Sequence, residues 1–338
     1  MVDKQEITHK REKLEDVVPR HAPFVIYLDP CGACNFKCVF CPCNNSDIFV
    51  EERHKMMTWE RFVKIAEDLQ AFEGQVKVIW LHGYGEPLLN PQIANMVRVL
   101  KQNHCCREVR ITTNGSLLDK RTSEALIEAG VDLVRVSVEA LSSEGYRDLC
   151  GVDIDFSVIL RNVEGFYRLS RGTESKISAK IVSETLKAEE DKQRFYQFFD
   201  PITDYHFVEE IEQYWSGFDV KLSDDHQEGI RKCYTNLERK GICTYPFTDM
   251  CIHSNGVVGA CCVDWKFAVQ YGDLNQEHLS EIWNGKKHRK IQCAHLMQEL
   301  DNLPFCKGCN RKPADPIENP KLILEKIRQE SDLNDENG

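Results

Sequence analysis

From residue 24 to residue 211 the chain alternates between short β-rich runs and stretches whose apolar residues recur at helical spacing, and no other feature constrains its fold as strongly. "FVIYLD" (24–29) opens the series. A helical stretch beginning after Thr58, which is placed to cap it, leads to "VKVIWL" (76–81), a short apolar run ending in the glycine turn "HGYGEP". Helical spacing over 91–103 precedes "EVRITTNG", 119–129 precedes "VDLVRVSVEA", 155–170 precedes "KISAKIVSE", and 189–199 precedes "DYHFVEEI". Six strands separated by helices predict a parallel sheet that curls into a partial or full barrel, with the chemistry at the carboxyl ends of the strands. The polar residues at those ends are Cys34 to Cys41, Gly85 and Glu86, Thr113 and Asn114, and Ser137 with Glu139, all expected at one mouth.

Composition narrows the classes. The 338 residues are 42% hydrophobic and 29% charged, as in an ordinary globular protein, and the net charge of −11 without a basic block gives no support to a nucleic-acid surface. The longest apolar runs are far too short to span a bilayer and no apolar leader opens the sequence, so a soluble, cytoplasmic protein is expected. Its sixteen cysteines therefore point to metal ligands rather than disulfides. Five crowd positions 31–43 and eight lie between 233 and 309, which predicts two separate thiolate centres. Past about residue 216 the βα rhythm gives way to turns and short β-like pieces. The expected organisation is an N-terminal extension (1–23), the barrel (24–215), a small second unit (216–315) and a polar, frayed tail (316–338).

Cys34, Cys38 and Cys41 put three thiolates on one tight loop, which suits three irons of a cubane and leaves the fourth open. Zinc, with Cys31 or Cys43 as fourth ligand, is the alternative. The context resembles the radical S-adenosylmethionine (SAM) enzymes: the three cysteines with Phe40 before the last, Gly85-Glu86-Pro87 in place of the family's GGEP motif, and "TTNG" and "VSVEA" on the third and fourth strands. That resemblance covers residues 24–215. It implies a [4Fe-4S] cluster on Cys34, Cys38 and Cys41 whose open iron is chelated by SAM, with Tyr84, Gly85 and Glu86 at the cofactor's amino group and Asn114 and Ser137 at its ribose or carboxylate. Tyr84 departs from the family's usual first glycine. Cys31 and Cys43 are read as bystander thiols.

A second set of thiols follows. Cys243, Cys261 eighteen residues on, and the Cys306-x-x-Cys309 turn satisfy a closed iron-sulfur or zinc site, with Cys262 the rival to Cys261. The run "CTYPF … NGVV … CCVD … EIWN … CKGC" resembles the SPASM/twitch extension of radical SAM enzymes, and seven ligands are not available, so it implies one auxiliary [4Fe-4S] cluster. Cys233, Cys251 and Cys293 are read as small buried hydrophobes. The fold class expected is therefore a partial (β/α)6 TIM-like barrel with a small iron-sulfur unit appended.

The spacing of the four auxiliary cysteines is similar to that of twitch-type 2-deoxy-scyllo-inosamine dehydrogenases. This implies alcohol oxidation on a sugar, aminocyclitol or sugar nucleotide, with electron transfer to the auxiliary cluster and a flavodoxin- or ferredoxin-type reductant. A base must take the hydroxyl proton. Asp264 and Glu139 are the first candidates; Glu209, Glu210 and Asp219 stand behind them, and His82 is read as a core histidine. The alternatives are a peptide maturase, for which the 23 residues before the first strand argue against a built-in recognition domain but not against a separate recognition protein, and a non-catalytic iron-sulfur or zinc protein.

Overall fold

The computed structural model describes residue 4 and residues 13–42, 55–186, 188–209, 241–309 and 317–331. Cys43, Glu210, Asp219, Cys233 and the boundary expected near 216 lie outside the described residues. Six strands form as the alternation predicts: β1 (Val25–Leu28), β2 (Val78–Leu81), β3 (Glu108–Thr113), β4 (Leu133–Val138), β5 (Lys176–Val182) and β6 (Tyr205–Glu209). They pair in sequence order and all in parallel. Sequential parallel pairing sends every right-handed crossover to the same face, so the sheet rolls up with its helices outside.

The helices start where local chemistry dictates. Thr58 accepts from Arg61 N at 3.2 Å to open Trp59–Gln70, and Asp119 accepts from Thr122 N at 2.8 Å to open Lys120–Ala129, which ends on Gly130 at φ +85°. Alternation along β4 divides the layers. Val134, Val136 and Val138 are fully buried under the helices, while Arg135, Ser137 and, just beyond the strand, Glu139 are half-buried toward the barrel interior. The interior floor is an apolar cluster of Val78, Trp80 and Leu133 with Val25, Tyr27 and Tyr205.

The barrel does not close on itself. The free edge of β1 pairs in parallel with β7 (Asp249–Ile252), and β8 (Val257–Gly259) and β9 (Gln270–Asp273) follow antiparallel, so one nine-stranded sheet runs through both halves of the chain. The helix Trp59–Gln70 seals this junction. Asp68, buried, accepts from Leu279 N at 3.1 Å and lies 2.7 Å from His278 Nδ1, and Arg61 donates to Ser254 O at 2.8 Å. Trp283, fully buried, donates to Arg20 O at 2.9 Å.

The segment read as a frayed tail contains a helix, Pro320–Ser331, whose Ile323 and Ile327 are fully buried against Leu14, Val18, Phe247 and Leu296. Glu15 receives Glu318 N and Asn319 N at 2.6 and 2.8 Å. Residues 14–18 and this helix thus pack against each other. No helix among the described residues is long and apolar enough to cross a membrane.

Candidate functional site

The loop after β1 carries Cys34, Cys38 and Cys41. It is stitched down at its centre by Lys37 N to Cys150 O (2.8 Å) and Val39 N to Leu149 O (2.9 Å), and Phe36 anchors it by an edge-on contact with Tyr146 at 5.9 Å. The glycine turn after β2 presses on the same loop. A methyl group at Gly85 would lie 2.1 Å from Cys31 O and 2.3 Å from Ala33 O, so only glycine fits, and Glu86 N donates to Ala33 O at 2.8 Å.

Glu86 is buried and its side chain is fully employed. Its carboxylate accepts from Leu88 N (3.0 Å), the Thr113 hydroxyl (2.6 Å) and Asn114 N (2.8 Å), tying the turn to the end of β3. Burial raises its pKa and these three donors oppose the rise. The turn's backbone, rather than the Glu86 carboxylate, is therefore what remains to meet a ligand. Asn114 turns toward the cysteine loop: its amide nitrogen donates to Asn35 Oδ1 at 2.8 Å and lies 4.0 Å from Cys34 Sγ, and its oxygen accepts from the Ser116 hydroxyl at 2.6 Å. Asn35 and Ser116 complete this polar cluster and were not singled out from sequence. Asn35 falls inside the cysteine spacer, where its type carries no pattern.

Beside this loop, the barrel interior holds a charged group. Lys180 and Glu209 form a 2.5 Å ion pair, and Arg135 lies over the rings of Trp80 (4.3 Å) and Phe207 (5.8 Å). Burial together with Arg135 and Lys180 drives the His82 pKa down to about 3, so its ring is neutral against Tyr27 and Trp80. Ser137 stands opposite Lys180 in the sheet register. Among the described residues no hydrogen bond reaches the Glu139 carboxylate; burial pushes its pKa up to about 7, against the pull of Lys180 and with the support of Glu209.

In the second half, Cys243, Cys261, Cys306 and Cys309 line one cavity together with Tyr245, Phe305, Val269, Asp264 and His295. Cys262 is not among the lining residues; its carbonyl instead accepts from the Tyr84 hydroxyl at 3.1 Å. Asp264 is buried, and its carboxylate accepts from Ala268 N (3.1 Å) and Val269 N (2.7 Å), so it closes the loop that carries Cys261. Cys251 and Cys293 are buried in the packing around this unit, and Cys31 is buried with its thiol 3.4 Å from Ala33 O.

The donor sets, three thiols on one loop and four around one cavity, are of the kind that iron-sulfur clusters take.

Compared with known proteins, residues 28–177 match the Radical SAM superfamily and residues 243–310 match SPASM, an iron-sulfur cluster-binding domain. Among curated proteins, a tungsten-containing aldehyde ferredoxin oxidoreductase cofactor-modifying protein of Pyrococcus furiosus is 34% identical over 116 residues, 34% of this chain and 31% of that protein. A GTP 3′,8-cyclase of Chlorobaculum tepidum is 34% identical over 123 residues, 35% of this chain and 33% of that protein. The chain thus spans about a third of the length of these relatives. Among solved structures, BtrN in complex with AdoMet and 2-DOIA aligns over 88% of this chain and 95% of its own, with a TM-score of 0.55 at 19% identity. Native anSMEcpe with bound AdoMet aligns over 91% and 95% (TM-score 0.59, 16% identity). Streptococcus suis SuiB bound to precursor peptide SuiA aligns over 80% and 66% (TM-score 0.57, 18% identity). At these identities the likeness is one of fold.

Proposed function

We propose that this chain, which carries a Radical SAM domain over residues 28–177 and a SPASM domain over residues 243–310, is a radical SAM enzyme that oxidises an alcohol of a small polar substrate, a sugar, aminocyclitol or sugar nucleotide, with Glu139 as the base. When bound, SAM and the cluster on Cys34, Cys38 and Cys41 supply a hydrogen-abstracting carbon radical, and an auxiliary cluster on Cys243, Cys261, Cys306 and Cys309 supplies a one-electron acceptor.

The observation that carries the reading is the Glu139 carboxyl. It stands at the end of β4, inside the barrel and beside the cysteine loop, without a hydrogen bond from any described residue, and its pKa near 7 suits proton transfer at neutral pH. Asp264, the other candidate base, is held by two backbone N–H groups. Glu139 would accept the hydroxyl proton of a substrate whose adjacent C–H bond faces the radical. Lys180, fixed by Glu209, and Arg135, held over Trp80, offer donors for neighbouring hydroxyl or anionic groups. The apolar floor below them restricts water, as a reactive radical requires. The Tyr84–Gly85–Glu86 backbone would meet the cofactor's amino group, and Asn114 and Ser137 its ribose or carboxylate. A flavodoxin- or ferredoxin-type protein would supply the initiating electron.

The similarity of fold to BtrN in complex with AdoMet and 2-DOIA and the four-cysteine cavity among the described residues support a dehydrogenase of aminocyclitol type. The fold is also similar to SuiB with its precursor peptide, which supports peptide modification as the second reading. The test is anaerobic turnover with sugars and aminocyclitols deuterated at each carbinol carbon, run beside peptide substrates. Deuterium recovered in 5′-deoxyadenosine together with a ketone product is expected. Transfer from peptide substrates alone would replace the dehydrogenase reading with the second one.

A further inference from the structure

The side chain of Tyr84 takes no part in the reading above, which uses only its backbone, and it occupies the position where the related motif usually has glycine. Its neighbours leave little freedom. On one side, a methyl group at Gly83 would lie 2.3 Å from the Asp29 carboxyl carbon; on the other, Gly85 is pressed against Cys31 O. Asp29 takes the backbone N–H groups of both Cys31 and Tyr84, and its own N–H donates to Ile252 O at the end of β7. The main chain at Tyr84 is therefore fastened to the cysteine loop and, through Asp29, to the second half of the molecule.

The ring points into that second half. Its hydroxyl donates to the Cys262 carbonyl at 3.1 Å, one residue from the cavity-lining Cys261. The ring lies 5.4 Å from Phe267 and 5.7 Å from His253, and those two rings stack on each other at 3.7 Å. Phe267 holds a left-handed backbone, φ +52°, rare for an aromatic residue, and its N–H donates to Asp264 O at 2.9 Å. Asp264 in turn fixes Ala268 and Val269. Residues 261–269 thus form one braced loop with Cys261 at its start and the Tyr84 contacts on its flank.

We propose that Tyr84 is a positioning residue that couples the two centres: it holds the loop bearing Cys261 at a fixed place relative to the turn that faces SAM, and so sets the environment of the auxiliary ligand. The path from the turn to that ligand is one side chain, one hydrogen bond and one peptide unit. The inference rests on the two-cluster reading. It does not rest on the choice of substrate.

The test uses the full chain reconstituted anaerobically, with iron counted for each form and the auxiliary centre titrated by redox-monitored electron paramagnetic resonance in a Cys34→Ala, Cys38→Ala, Cys41→Ala background. Tyr84→Phe keeps the ring and removes the hydrogen bond; Tyr84→Gly restores the common residue and removes the whole contact. The expected result is a shifted auxiliary potential in Tyr84→Phe, a larger shift in Tyr84→Gly, and product formed per 5′-deoxyadenosine lower by about tenfold in the otherwise native enzyme. That ratio isolates the coupling, since weaker cofactor binding lowers both terms together. Wild-type potential and ratio in Tyr84→Phe would overturn the inference, and if Tyr84→Gly retains no iron, Tyr84→Phe alone decides. An auxiliary centre missing from the parent protein would instead overturn the two-cluster reading beneath it.

Discussion

At the scale of single residues, the chemistry turns on which carboxyl groups are already employed. Glu86 spends its oxygens on Leu88, Thr113 and Asn114, Asp264 spends its own on Ala268 and Val269, and Glu209 is paired with Lys180. Glu139 is the carboxyl in the barrel interior that no described residue hydrogen-bonds. Its pKa, raised to about 7 from 4.5, sets two pH dependences. As a base it works only when ionised, so product formation should climb with pH through about 7 and level off above. For stability the sign is opposite: the fold binds this proton more tightly than the unfolded chain, so the group's contribution is full below about 4.5 and is lost as pH rises through about 7. Glu139→Gln should lower product per 5′-deoxyadenosine by about 10²- to 10⁴-fold and remove the low-pH limb of the rate profile. A Glu139→Gln enzyme with an unchanged pH profile would assign the base elsewhere.

At the scale of elements, the site is assembled by loops pressed together at the carboxyl ends of neighbouring strands. The cysteine loop, the glycine turn after β2 and the end of β3 form one block, because Gly85 sits against Cys31 and Ala33 while Glu86 reaches Asn114. Gly85→Ala would drive a methyl group into two backbone carbonyls that have no flexible end to yield. The expected result is a protein destabilised by about 2 kcal/mol or more with lower iron retention at the first centre, measured by denaturant unfolding and iron analysis. Wild-type stability and iron content would show that the loop can move away from the turn. The elements themselves were legible because the barrel strands and long helices carry their own apolar periods and some helices their own cap, as at Thr58 and Asp119. The helix Pro320–Ser331 was not, because its polar composition hides the two isoleucines that bury it, and their partners Leu14 and Val18 are about 300 residues away.

For the whole molecule, the two halves share one sheet and one junction. Pairing of β1 with β7 joins segments more than 200 residues apart, and nothing in either four-residue run announces the other. The same holds for the Tyr84–Cys262 hydrogen bond, which spans 178 residues. The two groups of cysteines were legible because three of the first lie within eight residues and the second ends in a C-x-x-C turn; their roles as ligands remain part of the proposal. That Cys261 rather than Cys262 lines the second cavity needed the fold, since nothing in the sequence separates two adjacent thiols that also lie side by side in space. The most direct test of the two-cluster account is to reconstitute the chain anaerobically, count iron, and assay 5′-deoxyadenosine after adding dithionite and SAM. The account predicts about eight irons per chain with cofactor cleavage, falling to about four when Cys306 and Cys309 are both changed to alanine. One or two equivalents of zinc per chain, with no 5′-deoxyadenosine formed, would contradict it.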